Sequence, residues 1–352
     1  MSRIIRFDKA INEATDQYMA QDPSVYVMGL GVPDAGGIFG TTLNLEEKHG
    51  ADRVLDMPAS ENGMTGVAIG SALVGMRPII THQRIDFAVL SLEQLVNQAS
   101  NWHYMFGGKA SVPLVIRMII GRGWGQGPQH SQSLQSWFAH VPGLKVVMPT
   151  TPYDAKGLLA SSIEDENPVI FIEHRWLHGI TGQVPAHLYT TPIGKARVAR
   201  EGTDLTIVST SYMTLEAMEA AKMLAKDGVN VEVVDVRTLK PLDEDTIFKS
   251  VSKTGRLIAA DFGWRTLGFA AEILARVTEE MFNELKKAPA RVTLPDIATP
   301  TTPGLAALYY PRATQIVVAA RRMLDMPIPV DIENLDESIH YDVPNSRFTG
   351  PF

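Results

Sequence analysis

Short apolar segments alternate with helical segments along most of the chain. Apolar stretches of strand length lie at Val25–Met28, Val54–Met57, Arg77–Thr81, Val112–Ile120, Lys145–Met148 and Val169–Glu173. The residues between several of them follow the helical period, as in Arg6–Met19, Asn62–Val74, Phe87–Phe106 and Thr151–Ser162. Strands that are apolar throughout and separated by helices are typical of a parallel sheet covered on both faces. The pattern predicts an α/β fold.

The alternation stops between about residues 177 and 195, in a stretch rich in glycine and proline, and resumes from Leu205. A chain of 352 residues has room for two domains at roughly 150 residues each. We therefore predict a domain over residues 1–180, a linker over 181–200 and a second domain over 201–324. Residues 325–352 are rich in proline and acidic side chains, which indicates an extended tail.

The charge balance and the lack of cysteine exclude several classes of function. The formal net charge is −7, so a general affinity for nucleic acid or anionic lipid is not expected. The absence of cysteine removes disulfides, thiolate nucleophiles and cysteine-ligated metals, and it favours the cytoplasm. No segment has the roughly 18 uninterrupted apolar residues of a membrane span.

A glycine-rich segment, Gly121–Gly127, precedes Pro128-Gln129-His130-Ser131-Gln132. Its glycine spacing fits neither the dinucleotide fingerprint nor the P-loop, but it permits close approach of the backbone to a ligand. A histidine in such a place is a surface or capping residue more often than a catalyst. Taken alone, the position of His130 therefore indicates neither acid–base chemistry nor metal binding.

Glu61 lies where an expected strand passes into a helix of small residues, Asn62–Val74. In a doubly wound sheet this junction is at the carboxyl edge, where ligands bind. The simpler interpretation is structural, because a carboxylate in the first helical turn favours the helix dipole and Ser60 can cap the helix. The several glycines of this helix make the ligand interpretation stronger.

Considered together, several segments resemble the beta subunit of the thiamine diphosphate-dependent first component of 2-oxo acid dehydrogenases, of the pyruvate, branched-chain and acetoin types. They are VMGLGVPDAGGIFGTT, MPASENGMTGVAIGSALVGMRPI, PQHSQSLQSWFAHVPGLKVVMPTTPYDAKGLL and VVDVRTLKPLDEDTI, and their order and spacing match across roughly residues 4–324. The resemblance implies two doubly wound α/β domains: a transketolase-like pyrimidine-binding domain followed by a transketolase C-terminal domain.

The resemblance also implies a role for individual residues. Glu61 would bond N1′ of the cofactor aminopyrimidine and favour the imino tautomer that removes the C2 proton of the thiazolium. Phe87 would pack against the pyrimidine ring. His130 would bond the substrate-derived group or the incoming lipoyl group. Backbone oxygens near Leu114, Ser162, Asp165 and Asn167 correspond to a monovalent-cation site, for K⁺, in some members.

The chain has no Gly-Asp-Gly motif, the family's signature for holding Mg²⁺ on the cofactor pyrophosphate. In the family, an alpha subunit supplies that half of the site. The resemblance therefore implies an alpha2beta2 heterotetramer with a beta–beta dimer at its centre, together with a lipoyl acyltransferase as acceptor.

Two departures leave the substrate open. Gly29-Leu30-Gly31 replaces a glycine followed by two acidic residues, and Thr81-His82-Gln83-Arg84-Ile85 replaces a largely apolar run. Gln83 and Arg84 could meet a partner chain or Asp86, or they could bind a substrate more polar than pyruvate. The alternatives are thus acyl transfer from a 2-oxo acid, a split transketolase or acyloin-forming reaction, and a non-catalytic scaffold.

Overall fold

The computed structural model describes residues 2–123, 125–332 and 343–344. The chain divides into two compact units. Among the described residues, the first unit comprises 2–121 and 137–193, and the second comprises 122–136 together with everything from Gly194 onward. The segment 122–136 thus belongs to the second unit, although the chain on both sides of it belongs to the first.

Up to residue 193, strands and helices alternate much as the sequence predicts. The strands are β1 (Ser2–Arg6), β2 (Val25–Met28), β3 (Val54–Leu55), β4 (Arg77–His82), β5 (Val115–Ile120), β6 (Lys145–Val147), β7 (Val169–His174) and β8 (Thr181–Pro185). The helices are α1 (Phe7–Gln21), α2 (Leu45–His49), α3 (Glu61–Leu73), α4 (Ile85–Ala88), α5 (Ser100–Met105), α6 (Gln135–His140) and α7 (Pro152–Glu164).

The main sheet of the first unit runs in the order β6-β7-β5-β4-β2-β3, and all of these strands are parallel. Every residue of β2, β5 and β7 is buried, as expected for strands covered on both faces. The carboxyl ends of β2, β3 and β4 are neighbours at one edge of this sheet. This edge is the place where a doubly wound sheet binds ligands.

From Gly194 onward the second unit repeats the architecture. Its strands are β9 (Arg197–Arg200), β10 (Leu205–Ser209), β11 (Val231–Asp235), β12 (Thr238–Lys240), β13 (Leu257–Trp264) and β14 (Ala290–Leu294). Its helices are α8 (Tyr212–Ala225), α9 (Glu244–Thr254), α10 (Phe269–Met281), α11 (Pro303–Tyr309) and α12 (Ala313–Met323). A five-stranded sheet has the order β14-β13-β10-β11-β9, and β9 alone of these is antiparallel to its neighbour.

The structure differs from the sequence prediction at the helix expected over Phe87–Phe106. The chain there forms α4, a 3₁₀ turn at Val89–Ser91, a π-helical stretch at Gln94–Ala99 and then α5. These forms change the number of residues per turn without breaking the helical direction, so the apolar period alone does not reveal them.

The stretch 181–200, which the sequence suggests as a linker, contains β8 and β9. β8 pairs with β1 in an antiparallel ladder that runs from Ser2 opposite Pro185 to Arg6 opposite Thr181. Only Gly182 and Val184 of β8 are buried, so the strand lacks the apolar signal of a core strand.

The expected tail begins after α12. A 3₁₀ turn follows at Val330–Ile332, and the remainder lies outside the described residues apart from Val343 and Pro344. The carbonyl of Val343 accepts a hydrogen bond from Nη2 of Arg312 at 2.5 Å. The helices in the described part of the chain include none with the length and apolar character needed to span a membrane.

Candidate active site

Glu61 is the first residue of α3 and follows the loop that leaves β3. Thr65, Ala68, Ile69 and Ala72 anchor this helix, because their spacing places them all on the face that packs against the unit. The Glu61 side chain is only 8% exposed, and it makes neither a hydrogen bond nor an ion pair with any described residue. Its carboxylate oxygens are open to solvent, so they can accept hydrogen bonds from a ligand that binds beside the start of α3.

Asp56 connects the loop before Glu61 to the loop after β2. Its Oδ1 accepts hydrogen bonds from the backbone N–H of Gly31 at 2.8 Å and of Met57 at 3.0 Å. Gly29 lies against β4, where an added Cβ would be 2.4 Å from the carbonyl oxygen of Thr81. Asp56 was missed in the sequence, although its position immediately after the short strand β3 is the available signal.

The polar run after β4 is held by backbone carbonyls of the first unit. Nε2 of Gln83 donates to the carbonyl of Leu30 at 2.9 Å, and Nη1 of Arg84 donates to that of Gly121 at 2.5 Å. The Arg84 guanidinium is buried and also lies 5.4 Å from the centre of the Phe39 ring. Gly121 and Phe39 are therefore polar and aromatic partners of Arg84 that the sequence did not reveal. Phe87, in α4, is half-buried.

His82 ends β4 and is 2% exposed, and its Nε2 has no hydrogen-bond partner among the described residues. Burial disfavours the charged imidazolium and lowers the pKa of His82 to about 4. His82 is therefore neutral near pH 7. It adds a polar group to this part of the unit without adding a charge.

His130 is half-buried at the end of a 3₁₀ turn, Pro128–His130, in the segment that belongs to the second unit. A cavity of about 560 Å³ opens beside this turn. Pro128 and Gln132 line one side, and Trp264, Thr266 and residues 296–299 line the other. The structure thus places Glu61, Gln83, Arg84 and Phe87 in the first unit and His130 in the second.

The residues expected around a monovalent cation lie near the carboxyl end of α7 and at the start of β5. The carbonyl of Leu114 accepts from the N–H of Val169 at 2.9 Å, and Nη1 of Arg77 reaches the carbonyl of Asp165 at 3.4 Å. Oδ1 of Asp165 accepts from the N–H of Asn167 at 2.9 Å. Ser162 donates its hydroxyl to the carbonyl of Leu158. A guanidinium therefore already contacts one of these carbonyls.

Comparison with known proteins finds two family domains along the chain, the first of which includes the segment 122–136. Residues 4–179 match the transketolase pyrimidine-binding domain, and residues 194–316 match the transketolase C-terminal domain. The chain is 46% identical over 334 residues to the beta subunit of acetoin:2,6-dichlorophenolindophenol oxidoreductase of Cupriavidus necator, covering 92% of this chain and 98% of that one. It is 39% identical over 326 residues to the pyruvate dehydrogenase E1 beta-2 subunit of rice, covering 92% and 87%.

Among solved structures, a split-gene transketolase described as an inactive beta4 tetramer superposes with a TM-score of 0.76 at 24% identity, covering 92% of this chain and 99% of that chain. The fold and the paired domains define a two-domain, transketolase-like α/β protein, as the sequence predicts. The chain belongs to the thiamine diphosphate-dependent family that contains the beta subunits of acetoin and pyruvate dehydrogenases.

The described residues include an acidic and an aromatic side chain that suit a heteroaromatic ring. The partnerless carboxylate of Glu61 and the half-buried ring of Phe87 suit a protonated heteroaromatic ring. For Mg²⁺ and the pyrophosphate, the described part of the chain contains no group of three or more acidic or histidine side chains that could hold a metal. The sequence also lacks Gly-Asp-Gly.

Proposed function

We propose that the chain is the beta subunit of a heteromeric thiamine diphosphate enzyme that cleaves the bond beside the carbonyl of acetoin or a 2-oxo acid and passes on the acyl group. The observation that carries this proposal is Glu61, a largely buried residue at the start of α3 whose carboxylate makes no hydrogen bond with the described residues. The names of the relatives support acetoin and pyruvate as the first substrates to test.

Thiamine diphosphate, when bound, supplies a nucleophilic carbon and an electron sink for cleavage beside a carbonyl. Glu61 would hold the aminopyrimidine by sharing a proton with its N1′. Phe87 would pack its ring against the pyrimidine and orient it. Asp56 fixes the loop before Glu61 through two backbone N–H groups.

His130 acts after Glu61, as a hydrogen-bond donor to the oxygen of the substrate-derived group or to the incoming acceptor. Its place beside a cavity of about 560 Å³ supports this role, because a cavity of this size can hold an incoming group. A lipoyl carrier is the acceptor that we propose first.

The other half of the site belongs, in this proposal, to an alpha subunit that holds Mg²⁺ and the pyrophosphate in an alpha2beta2 assembly with a beta–beta dimer. The lack of Gly-Asp-Gly in this chain supports such a partner. The relatives are likewise named as subunits. In the same proposal, K⁺ would be bound by backbone oxygens near Leu114, Ser162, Asp165 and Asn167.

Gln83 favours a second candidate, a split transketolase or acyloin-forming enzyme with a polar ketone donor. This side chain is partly exposed four residues before Phe87 and presents an amide group. In this candidate Gln83 and Arg84 select the substrate, Gln83 by contact and Arg84 by its charge.

The test is reconstitution with an alpha subunit of the acetoin or pyruvate dehydrogenase type. We expect tight, Mg²⁺-dependent binding of thiamine diphosphate by calorimetry only when both chains are present, and turnover of acetoin or a 2-oxo acid. Tight binding to the beta chain alone would refute the two-chain site. Turnover of ketoses alone would select the second candidate, and no turnover of any donor would favour a scaffold.

A further inference from the structure

The segment 122–136, which carries His130, is attached at both ends to residues of the second unit. At its start, Arg122 is 2% exposed, and its Nη2 donates to the carbonyl of Thr301. Nε of Arg122 also donates to the carbonyl of Gln126 at 3.0 Å, which closes the glycine-rich loop on itself. Gly127 packs so closely that an added Cβ would lie 2.4 Å from Oγ1 of Thr301.

At the other end, the attachment is a pair of buried side chains. Nε2 of Gln135 lies 3.1 Å from each carboxylate oxygen of Asp261. Gln135 is fully buried and Asp261 is 2% exposed. An amide that faces both oxygens of a buried carboxylate has a defined position, because without Asp261 the Nε2 of Gln135 would be a buried donor without an acceptor.

The second unit is built to hold Asp261 in place. Oδ1 accepts from the hydroxyl of Thr210 at 2.7 Å, and Oδ2 accepts from the N–H of Gly263 at 3.0 Å. The pairing of β13 with β14 is irregular between Ala260 and Trp264, so Asp261 lies in a bulge. Gly263 is required there, because a Cβ would lie 2.5 Å from Oδ2 of Asp261.

Asp261 also lies where the order of strands reverses. β10 has β11 on one side and β13 on the other, and the chain passes from β10 to β11 and then to β13. The carboxyl ends of β10 and β13 therefore flank the position at which a doubly wound sheet has an open crevice. In this chain, Gln135 fills that position by bonding to Asp261.

We infer that Asp261 and Gln135 form a positioning pair that fixes His130 relative to the second unit. His130 lies between the two attachments, three residues after Gly127 and five before Gln135. The pair holds the turn at Pro128–His130 from one side while Arg122 holds it from the other. The inference rests on the proposed function of His130, and it assigns no contact between Asp261 and substrate.

The test uses the Gln135→Leu variant in the reconstituted enzyme. We expect kcat to fall roughly tenfold to a hundredfold, because a small displacement of a reacting group has an effect of that size. Exchange of the cofactor C2 proton for deuterium, which depends on Glu61, should stay within about twofold of wild type. Thr206→Val is the matched control: it removes a buried hydroxyl of the same unit that bonds Ser250 and Thr254 and not Asp261, and it should leave kcat within about threefold.

Two further measurements separate positioning from a general loss of structure. Release of the segment should expose Arg122, so trypsin should cleave the Gln135→Leu beta chain after Arg122 roughly tenfold faster, as mass spectrometry of the isolated chain can show. The double variant Gln135→Glu with Asp261→Asn exchanges donor and acceptor, and it should recover most of the lost kcat and the protection from trypsin.

The inference is overturned if Gln135→Leu leaves kcat and cleavage after Arg122 unchanged, or if C2 exchange falls as far as kcat. The inference is also contradicted if the double variant Gln135→Glu with Asp261→Asn recovers neither kcat nor protection from trypsin. The proteolysis result does not depend on activity. If cleavage accelerates while His130→Ala retains full turnover, the attachment stands and the proposed role of His130 fails.

Discussion

Nε of Arg117 donates to Oε1 of Glu173 at 2.7 Å, and both side chains are fully buried. The second carboxylate oxygen faces Nε2 of His178 at 3.2 Å. Burial by itself would raise the pKa of Glu173, but the charge of Arg117 and the contact with His178 outweigh it, so the pKa lies below its usual value. The core of the first unit thus contains an ion pair that depends on both partners.

The isosteric change Glu173→Gln should lower the free energy of unfolding by roughly 3–5 kcal/mol, because it leaves the Arg117 charge buried without a counter-charge. Urea denaturation near pH 7 measures this. The control is Arg276→Gln, which breaks ion pairs with Glu244 and Glu272; the Arg276 side chain is 41% exposed, so the loss should be about 1 kcal/mol or less. Equal losses in the two variants would contradict the importance of burial.

His82 should make the stability of the protein depend on pH. Its folded pKa of about 4 lies below the ordinary histidine value of 6.5, so the unfolded chain binds a proton in that interval and the folded chain does not. The free energy of unfolding therefore falls by roughly 3 kcal/mol, through His82 alone, as the pH drops from about 6.5 to about 4. His82→Ile should remove this decline, and a difference between the two proteins that is independent of pH would contradict the assignment.

Gly143 and Gly228 have similar left-handed backbones, at φ values of 86° and 78°, but differ in the space around them. A Cβ on Gly143 would lie 2.0 Å from the carbonyl oxygen of Ser100, whereas a Cβ on Gly228 meets nothing within 4 Å. Gly228→Ala should cost about 1–2 kcal/mol through φ alone. Gly143→Ala should cost clearly more, as thermal unfolding can measure, and similar costs would show that Ser100 moves freely.

Glu61→Gln should reduce the rate of C2 proton exchange in the assembled enzyme by roughly a hundredfold or more. Glutamine can still accept or donate a hydrogen bond at N1′, but it cannot share a proton as a carboxyl group does. NMR of quenched samples gives the exchange rate, and gel filtration checks assembly. Unchanged exchange in the assembled variant would return Glu61 to the role of a helix-terminal charge.

His130→Ala should impair turnover more than C2 exchange, because His130 acts after Glu61 in the proposed sequence of events. Steady-state kinetics with acetoin and pyruvate, run beside the exchange measurement, compares the two. Equal losses in both, together with poor assembly, would assign His130 a structural role.

The apolar strands were the predictable part of the fold. β2, β4, β5 and β7 lie close to their predicted bounds because a strand buried on both faces must be apolar along its whole length. β1 and β8 carry no such signal, since their ladder is a two-stranded pair in which little of β8 is buried. Their pairing joins residues far apart in the sequence, which local patterns do not encode.

The candidate site was predictable only as far as single residues. The position of Glu61 after a strand and before a small-residue helix could be read from the sequence, whereas its lack of a partner could not. The contact of Arg84 with Gly121 and that of Gln135 with Asp261 each depend on tertiary packing across 37 and 126 positions of sequence. Long-range side-chain pairs of this kind produce no periodic pattern in the amino-acid sequence.

The assignment of 122–136 to the second unit limits how this chain can be divided or recombined. The chain passes between its two units after Gly121, after Ser136 and after Ile193, so no single cut yields both units intact. A fragment that begins at Gly194 would retain Asp261 without Gln135, and a fragment that ends at Ile193 would carry Arg122 without Thr301. Exchange of domains between members of the family would therefore have to transfer two separate stretches of sequence together: the His130 segment and the carboxyl-terminal half.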